Sequence, residues 1–173
     1  MSDLSALTKA ITFATQAHGE QRDKQGQPYI FHPLNVMLRV ASGQSDGEQS
    51  EGASQIDYEL LSAAVLHDVL EDCTGTSSGA PGGAPGPSPV TPLQIYQDFG
   101  EAIYALVYAV TRQPGEPYME YIERVSRNKR ATIIKLADLR DNMGRPGQFP
   151  RRDSLMERYE KAVEYLTNGS HRP

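Results

Sequence analysis

The sequence predicts an all-α fold, one irregular bundle of about eight helices. Three observations lead there. Apolar residues recur at helical spacing along nearly the whole chain. No stretch alternates apolar and polar residues as a half-buried strand does. The gaps between apolar stripes carry caps, prolines and glycines. At 173 residues the chain is expected to form one domain, residues 1–173.

Leu4, Leu7, Ile11, Ala14 and His18 share one stripe and predict the first helix. Pro33 can open a second, carrying Val36, Leu38 and Val40, because proline lacks only an N–H that a first turn leaves unused. Residues 57–72 read as a third. Thr91-Pro92 marks a fourth start, with Thr91 as cap and Pro92 in the first turn. Leu93, Ile95, Tyr96 and Phe99 follow, and Gly100 can end that segment. Ile103, Leu106, Val107 and Val110 make a fifth stripe, broken at Gln113-Pro114-Gly115-Glu116-Pro117. Tyr118, Tyr121, Ile122 and Val125 make a sixth, with the spacing of an ordinary core helix. Residues 131–143 form a seventh that ends near Gly144. Leu155, Tyr159, Ala162 and Leu166 mark the last.

A net charge of −5 argues against a general DNA, RNA or membrane-surface binder. It leaves room for a phosphorylated small molecule held by a few local cations. Hydrophobic residues are 38% of the chain, and two polar stretches explain the shortfall: residues 42–55 and the Gly/Pro-rich residues 75–89. Both are expected to be flexible loops. Cys73 is the one cysteine, which rules out an intramolecular disulfide. Its acidic neighbours should raise its thiol pKa and leave it inert. No apolar stretch is long enough to cross a bilayer, and the start lacks signal-peptide features. A cytoplasmic protein is expected; oligomeric state is not legible.

The chemistry concentrates at His67-Asp68. The doublet sits in the apolar run Ala63-Ala64-Val65-Leu66, continued by Val69-Leu70-Glu71-Asp72. Four ionisable groups in such a run are costly unless bound, about 2–7 kcal/mol even for a neutral polar group left unbonded. One divalent cation offsets that cost, and an imidazole with a carboxylate is a mixed N/O set that first-row metals accept. On a continuous helix Glu71 and Asp72 fall three and four residues on, in phase with the doublet. That pair suits base work on water. Asp138 lies between Leu136-Ala137 and Leu139, a poor place for a solvated charge and a good one for a third carboxylate ligand. Asp141 and Arg140 fit a solvated helix face, and Lys135 can pair with Asp138. His32, in the apolar stretch Pro28-Tyr29-Ile30-Phe31, is the natural fourth protein ligand. Four protein ligands would leave positions open for water and substrate.

His18…Gln21…Lys24…Gly26…Pro28-Tyr29-Ile30…His32-Pro33, Leu66-His67-Asp68-Val69…Glu71-Asp72, Phe99-Gly100, Val110-Thr111 and Lys135-Leu136-Ala137-Asp138…Asn142 occur in that order. Over about residues 3–167 this pattern resembles the HD-domain superfamily. Within it, the chain resembles the hydrolase domain of RelA/SpoT proteins and the small alarmone hydrolases, including metazoan SpoT homologues. The resemblance implies one divalent metal, usually Mn2+, held by His32, His67, Asp68 and Asp138. It implies removal of the 3′-pyrophosphate from guanosine tetra- or pentaphosphate, giving GDP or GTP and pyrophosphate. By the same resemblance Glu71 and Asp72 position and activate the attacking water. Asn142 contacts the ribose or its 3′ substituent, Lys24 lies beside the nucleotide, and Tyr159 sits near the substrate.

Lys24 and Lys135 are the cations at hand for phosphates; Arg112, Arg151 and Arg152 are further candidates that read better as a solvated basic surface. Asp23 stands where such hydrolases commonly carry an arginine that packs on the base. Base identity therefore stays open, with adenosine 3′-pyrophosphates or a nucleoside monophosphate as the alternative substrates. The 75–89 loop lengthens the usual connection, and the end at Pro173 fits a stand-alone hydrolase. A binding module without catalysis would leave Glu71 and Asp72 without a purpose.

Overall fold

The structure is a computed structural model, and it describes residues 3–43, 56–73, 89–145 and 154–168. Those residues are helical without a strand; one isolated bridge joins Arg22 and Pro28. The helices are α1 (Asp3–His18), α2 (Phe31–Ala41), α3 (Tyr58–Val65), the single turn α4 (Val69–Asp72), α5 (Pro92–Val110), α6 (Tyr118–Ser126), α7 (Lys129–Gly144) and α8 (Ser154–Asn168). The all-α prediction holds. The loops expected over 42–55 and 75–89 lie almost wholly outside the described residues. No helix among those described is long and apolar enough to cross a membrane.

α3 is the central element. Ser62 to Leu66 are buried without a break, and α3 packs against α1, α2, α5 and α7. Small residues allow this. Ala63 and Ala64 of α3 and Ala10, Ala14 and Ala17 of α1 are all buried in the core, and the two helices pack against each other. Leu4, expected on the apolar stripe of α1, is exposed; the stripe starts one turn later at Leu7, which packs against the core, and Ala10 is fully buried.

Local signals start most helices. Asp57 Oδ1 accepts the Leu60 N–H at 2.9 Å, Thr91 Oγ1 accepts the Gln94 N–H at 3.2 Å, and Asn128 caps α7 through the Arg130 and Ala131 N–H groups. α2 starts two residues before Pro33, because the Pro28–Tyr29 turn is already wound: Phe31 N–H donates to the Pro28 carbonyl and His32 N–H to that of Tyr29. Pro33 still falls in the first turn, where it costs no hydrogen bond.

Two breaks differ from the expected ones. The segment 57–72 is not one helix: it ends at Val65, turns through Leu66-His67-Asp68, and resumes as α4. Conversely, the fourth and fifth stripes join in α5, kinked at Gly100 with φ 80° and ψ 175°. Beyond Cys73 the chain leaves and comes back at one point, since Val90 N–H donates to the Cys73 carbonyl at 2.7 Å.

Candidate metal centre and active site

Three elements bring the ionisable side chains together: the first turn of α2 (His32), the turn between α3 and α4 (His67, Asp68), and the middle of α7 (Asp138). The break at Leu66–Asp68 does what an unbroken helix could not. Successive residues of a helix point about 100° apart. In the turn, His67 Nε2 comes within 3.1 Å of Asp68 Oδ1, so neighbours in sequence converge on one point. This corrects the expectation of a continuous 57–72 helix, in which spacing alone would have gathered the ligands.

The other distances close the set. His32 Nε2 lies 3.4 Å from Asp68 Oδ2 and 3.1 Å from Asp138 Oδ1. His67 Nε2 lies 3.7 Å from Asp138 Oδ1. The two imidazole rings are 5.1 Å apart between centroids, nearly edge to face. Single ligand atoms of His32, His67 and Asp68 all fall within 4.8 Å of one another.

Each imidazole is fixed by its far nitrogen. His32 Nδ1–H donates to Asp141 Oδ2 at 2.8 Å, and His67 Nδ1–H to the Ala64 carbonyl at 2.8 Å. Both Nε2 atoms are thereby presented to the centre, the arrangement that orients metal-bound histidines. His67 Nε2 is buried and makes no hydrogen bond, though carboxylate oxygens lie close. A buried nitrogen lone pair facing carboxylates fits a cation, so the donor set suits one divalent metal of the N/O-preferring kind.

The electrostatics agree. Burial alone would lower the pKa of His32 and His67, yet Asp68, Asp138 and, for His32, Asp141 push both above the ordinary histidine value. Burial would raise Asp138, but Lys135 and the two histidines hold it well below the carboxylate range. His67 and His32 likewise hold Asp68 down against burial. The pocket has gathered negative charge and attracts cations, protons included.

Asp138 is held from both sides. Lys135 Nζ donates to Oδ2 at 2.6 Å and Asn142 Nδ2 to Oδ1 at 2.6 Å. Lys135 is thus an orienting partner of Asp138, as its spacing suggested, and its ammonium also lies 5.2 Å over the Tyr121 ring. Glu71 and Asp72, on α4, border the centre. Glu71 Oε1 accepts the Arg112 N–H at 2.7 Å; burial and then the nearby Asp68 and Asp138 raise its pKa. Burial and the adjacent Asp68 push Asp72 up to about 7.

Several partners escaped the sequence reading. Asp141 is buried rather than on a solvated face; besides His32 it accepts from Arg39 Nε at 3.3 Å and Arg145 Nε at 3.0 Å. The correction has a simple cause: α2 lies against that side of α7, a contact that one-helix spacing does not reveal. Tyr29 Oη donates to Asp68 Oδ2 at 2.8 Å. The apolar setting of Tyr29 beside His32 was its one visible signal. Cys73 is as inert as expected, with burial and then Asp72 pushing its thiol up to about 12.

The remaining predicted residues divide. Tyr159 on α8 has its ring 6.5 Å from that of Tyr118, and Asp138 and Lys135 are among its charged neighbours. Lys24 is exposed in the α1–α2 loop and makes no hydrogen bond or ion pair among the described residues. Asp23 closes that loop, its Oδ1 accepting from the Gln25 and Gln27 N–H groups at 2.9 Å each. Arg151 and Arg152 lie outside the described residues.

Comparison with known proteins decides the family. The HD domain pattern matches residues 10–141. The chain belongs to the HD-domain family. A guanosine-3′,5′-bis(diphosphate) 3′-pyrophosphohydrolase of Aquifex aeolicus is similar to this HD domain, 32% identical over 145 residues, 79% of this chain and 17% of that protein. The bifunctional (p)ppGpp synthase/hydrolase SpoT of Escherichia coli K12 is 28% identical over 180 residues, 98% of this chain and 22% of that protein. The HD domain therefore spans about a fifth of the length of these curated relatives. A solved structure, described as a metazoan ortholog of SpoT that hydrolyzes ppGpp, superposes with a TM-score of 0.66 at 23% identity. The match covers 96% of this chain and 87% of that one, and establishes the shared fold.

Proposed function

We propose that this HD domain is a metal-dependent hydrolase that removes the 3′-pyrophosphate from guanosine tetra- or pentaphosphate, giving GDP or GTP and pyrophosphate. The observation that carries the reading is the buried, unbonded His67 Nε2 facing Asp68 and Asp138 beside a second oriented imidazole. The activities of the relatives supply the substrate class.

His32, His67, Asp68 and Asp138 would hold one divalent ion, Mn2+ in this reading. When bound, it supplies Lewis acidity at a phosphoryl oxygen and lowers the pKa of water. The protein's own groups do the rest. Asp72, on α4 beside the centre, is placed to take a proton from the attacking water. Glu71, fixed by the Arg112 N–H, orients that water. Asn142 and Lys135 fix the Asp138 carboxylate and leave donor capacity toward the 3′ phosphates. The water oxygen bonds to the phosphorus on the 3′ oxygen as the bond between them breaks; the 3′ oxygen takes up the proton lost by the water and leaves as the hydroxyl of GDP or GTP, and the attacked group is released as pyrophosphate.

One observation favours a second reading. Asp23 spends its carboxylate on its own loop and offers no cation to pack on a base. Adenosine 3′-pyrophosphates are therefore the alternative substrate. A turnover panel with Mn2+, comparing guanosine and adenosine 3′-pyrophosphates, tests both. Pyrophosphate release from the guanosine compound is expected. Release only from the adenosine compound would replace the base assignment, and release from neither would overturn the reading. Asp68→Ala should lose Mn2+ binding and cut turnover by at least about 100-fold; normal metal content with a normal rate would refute the ligand set.

A further inference from the structure

Tyr118 opens α6 beside the centre and presents a polar atom that the fold leaves unanswered. Its hydroxyl is buried and has no hydrogen-bond partner. Burial pushes it up to about 12, and its charged or ionisable neighbours are Lys135, Tyr159, Asp138 and Arg158. The phenol thus lies between the Lys135–Asp138 pair and α8. An unpaired buried hydroxyl costs about 1–3 kcal/mol, which a bound acceptor would recover.

Two guanidinium groups crowd the same ring. Arg158 on α8 sits 4.6 Å from the Tyr118 centroid, and Arg112 sits 5.8 Å from it. Arg112 is anchored: its Nε and Nη2 donate to the Glu116 carbonyl, and its N–H holds Glu71. Arg158 is exposed and pairs with no carboxylate among the described residues; its contacts are the rings of Tyr118 and Tyr159. Stacking on an aromatic face leaves the edge of a guanidinium free for a bidentate acceptor. In a protein of net charge −5, a cation beside an acidic centre that pairs with no carboxylate among the described residues is placed to receive an anion.

We propose that Arg158, Arg112 and the Tyr118 hydroxyl form a subsite for the 5′-phosphate groups of the nucleotide whose 3′-pyrophosphate lies at the His/Asp centre. The subsite rests on the hydrolase reading for its substrate. It lies on the α6–α8 side of the centre, while Lys135 and Asn142 serve the 3′ side. Its donors match phosphate: one O–H, the planar fork of Arg158, and the Nη1 of Arg112, whose Nε and Nη2 are held by the Glu116 carbonyl. It also gives the chain a way to prefer nucleotides that carry 5′ phosphates over those with a bare 5′ hydroxyl.

The test uses the full chain with Mn2+ and two readouts. GDP binding by calorimetry should weaken about tenfold in Arg158→Met and severalfold in Tyr118→Phe. KM for guanosine 3′,5′-bis(diphosphate) should rise about tenfold in Arg158→Met, with a smaller effect on kcat. With guanosine 3′-diphosphate, which has no 5′ phosphate, that KM penalty should vanish. The same penalty on both substrates would overturn the 5′ assignment, as would GDP binding indifferent to Arg158. The two readings fail separately. Hydrolysis of the bis(diphosphate) with GDP binding indifferent to Arg158 removes the subsite alone. Arg158-dependent GDP binding without hydrolysis of either substrate removes the hydrolase reading and leaves the subsite.

Discussion

The far nitrogens of the two histidines decide how well the centre can work. An imidazole turned by a few tens of degrees no longer aims its lone pair, so the groups behind the ring matter as much as the ring. His67 leans on the Ala64 carbonyl, which no side-chain substitution removes. His32 leans on Asp141, whose carboxylate is itself held by Arg39 and Arg145. Asp141→Asn keeps the volume and removes the charge. It should weaken Mn2+ binding about 10–100-fold, measured by calorimetric titration of the purified variant. An unaltered affinity with native helicity would show that the Asp141 charge does not support His32.

Two joints between elements govern how α4, α5 and α6 meet the site. The first is Gly100. At φ 80° and ψ 175° it occupies backbone space that side chains avoid, and a Cβ built there meets nothing within 4 Å. The whole cost of Gly100→Ala is therefore conformational, about 1–3 kcal/mol, and should appear as a lower urea midpoint with an unaltered slope. The second joint is the α5–α6 turn. Arg124 reaches across it, pairing with Glu116 at 2.8 Å and donating to the Ala109 and Thr111 carbonyls. The Arg124 hydrogen bond is the main reason Glu116 falls from 4.5 to about 2. The native state thus binds protons less readily than the unfolded one. The contribution is complete above pH 4.5, the ordinary value, and fades as pH falls toward 2. Glu116→Gln should cost about 1 kcal/mol at pH 7, the pair being partly solvated, and nothing near pH 2. Urea melts at both pH values check this; an equal loss at each would contradict it.

At the scale of the molecule, α1, α2 and α7 all pack against α3, and α7, which also packs on α2, brings Asp138 to the turn that follows α3 and Asp141 to His32. The centre is assembled from segments more than a hundred residues apart, so its geometry depends on the whole bundle. Cys73 and Val90, described residues on either side of the Gly/Pro-rich stretch, are joined by a hydrogen bond from the Val90 N–H to the Cys73 carbonyl. Replacing residues 75–88 with two glycines should alter unfolding free energy by only about 1 kcal/mol, as loop closure depends weakly on length. Calorimetry would show it. A loss of several kcal/mol would mean that the stretch packs on the core.

Much of this was legible in particular residues. Thr91-Pro92 announced α5, the apolar stripes announced an all-helical chain, and ionisable groups set among apolar neighbours singled out His32, His67, Asp68 and Asp138. Such signals are local: a cap, a period and the cost of burying a charge all act within a few residues of sequence. Where a helix breaks was less legible. The apolar run through Leu66 looks continuous, and only packing against four neighbours fixes the turn that swings His67 and Asp68 onto one point. Asp141 and Tyr118 show the same limit. Each reads as an ordinary helix residue until another helix is laid against it: α2 for Asp141, α8 for Tyr118. The sequence by itself determined the fold class and the atoms available to a metal. Tertiary structure alone decided which nitrogen of each histidine faces inward, which carboxylate stands behind it, and which hydroxyl is left without a partner, because those properties belong to contacts between distant segments.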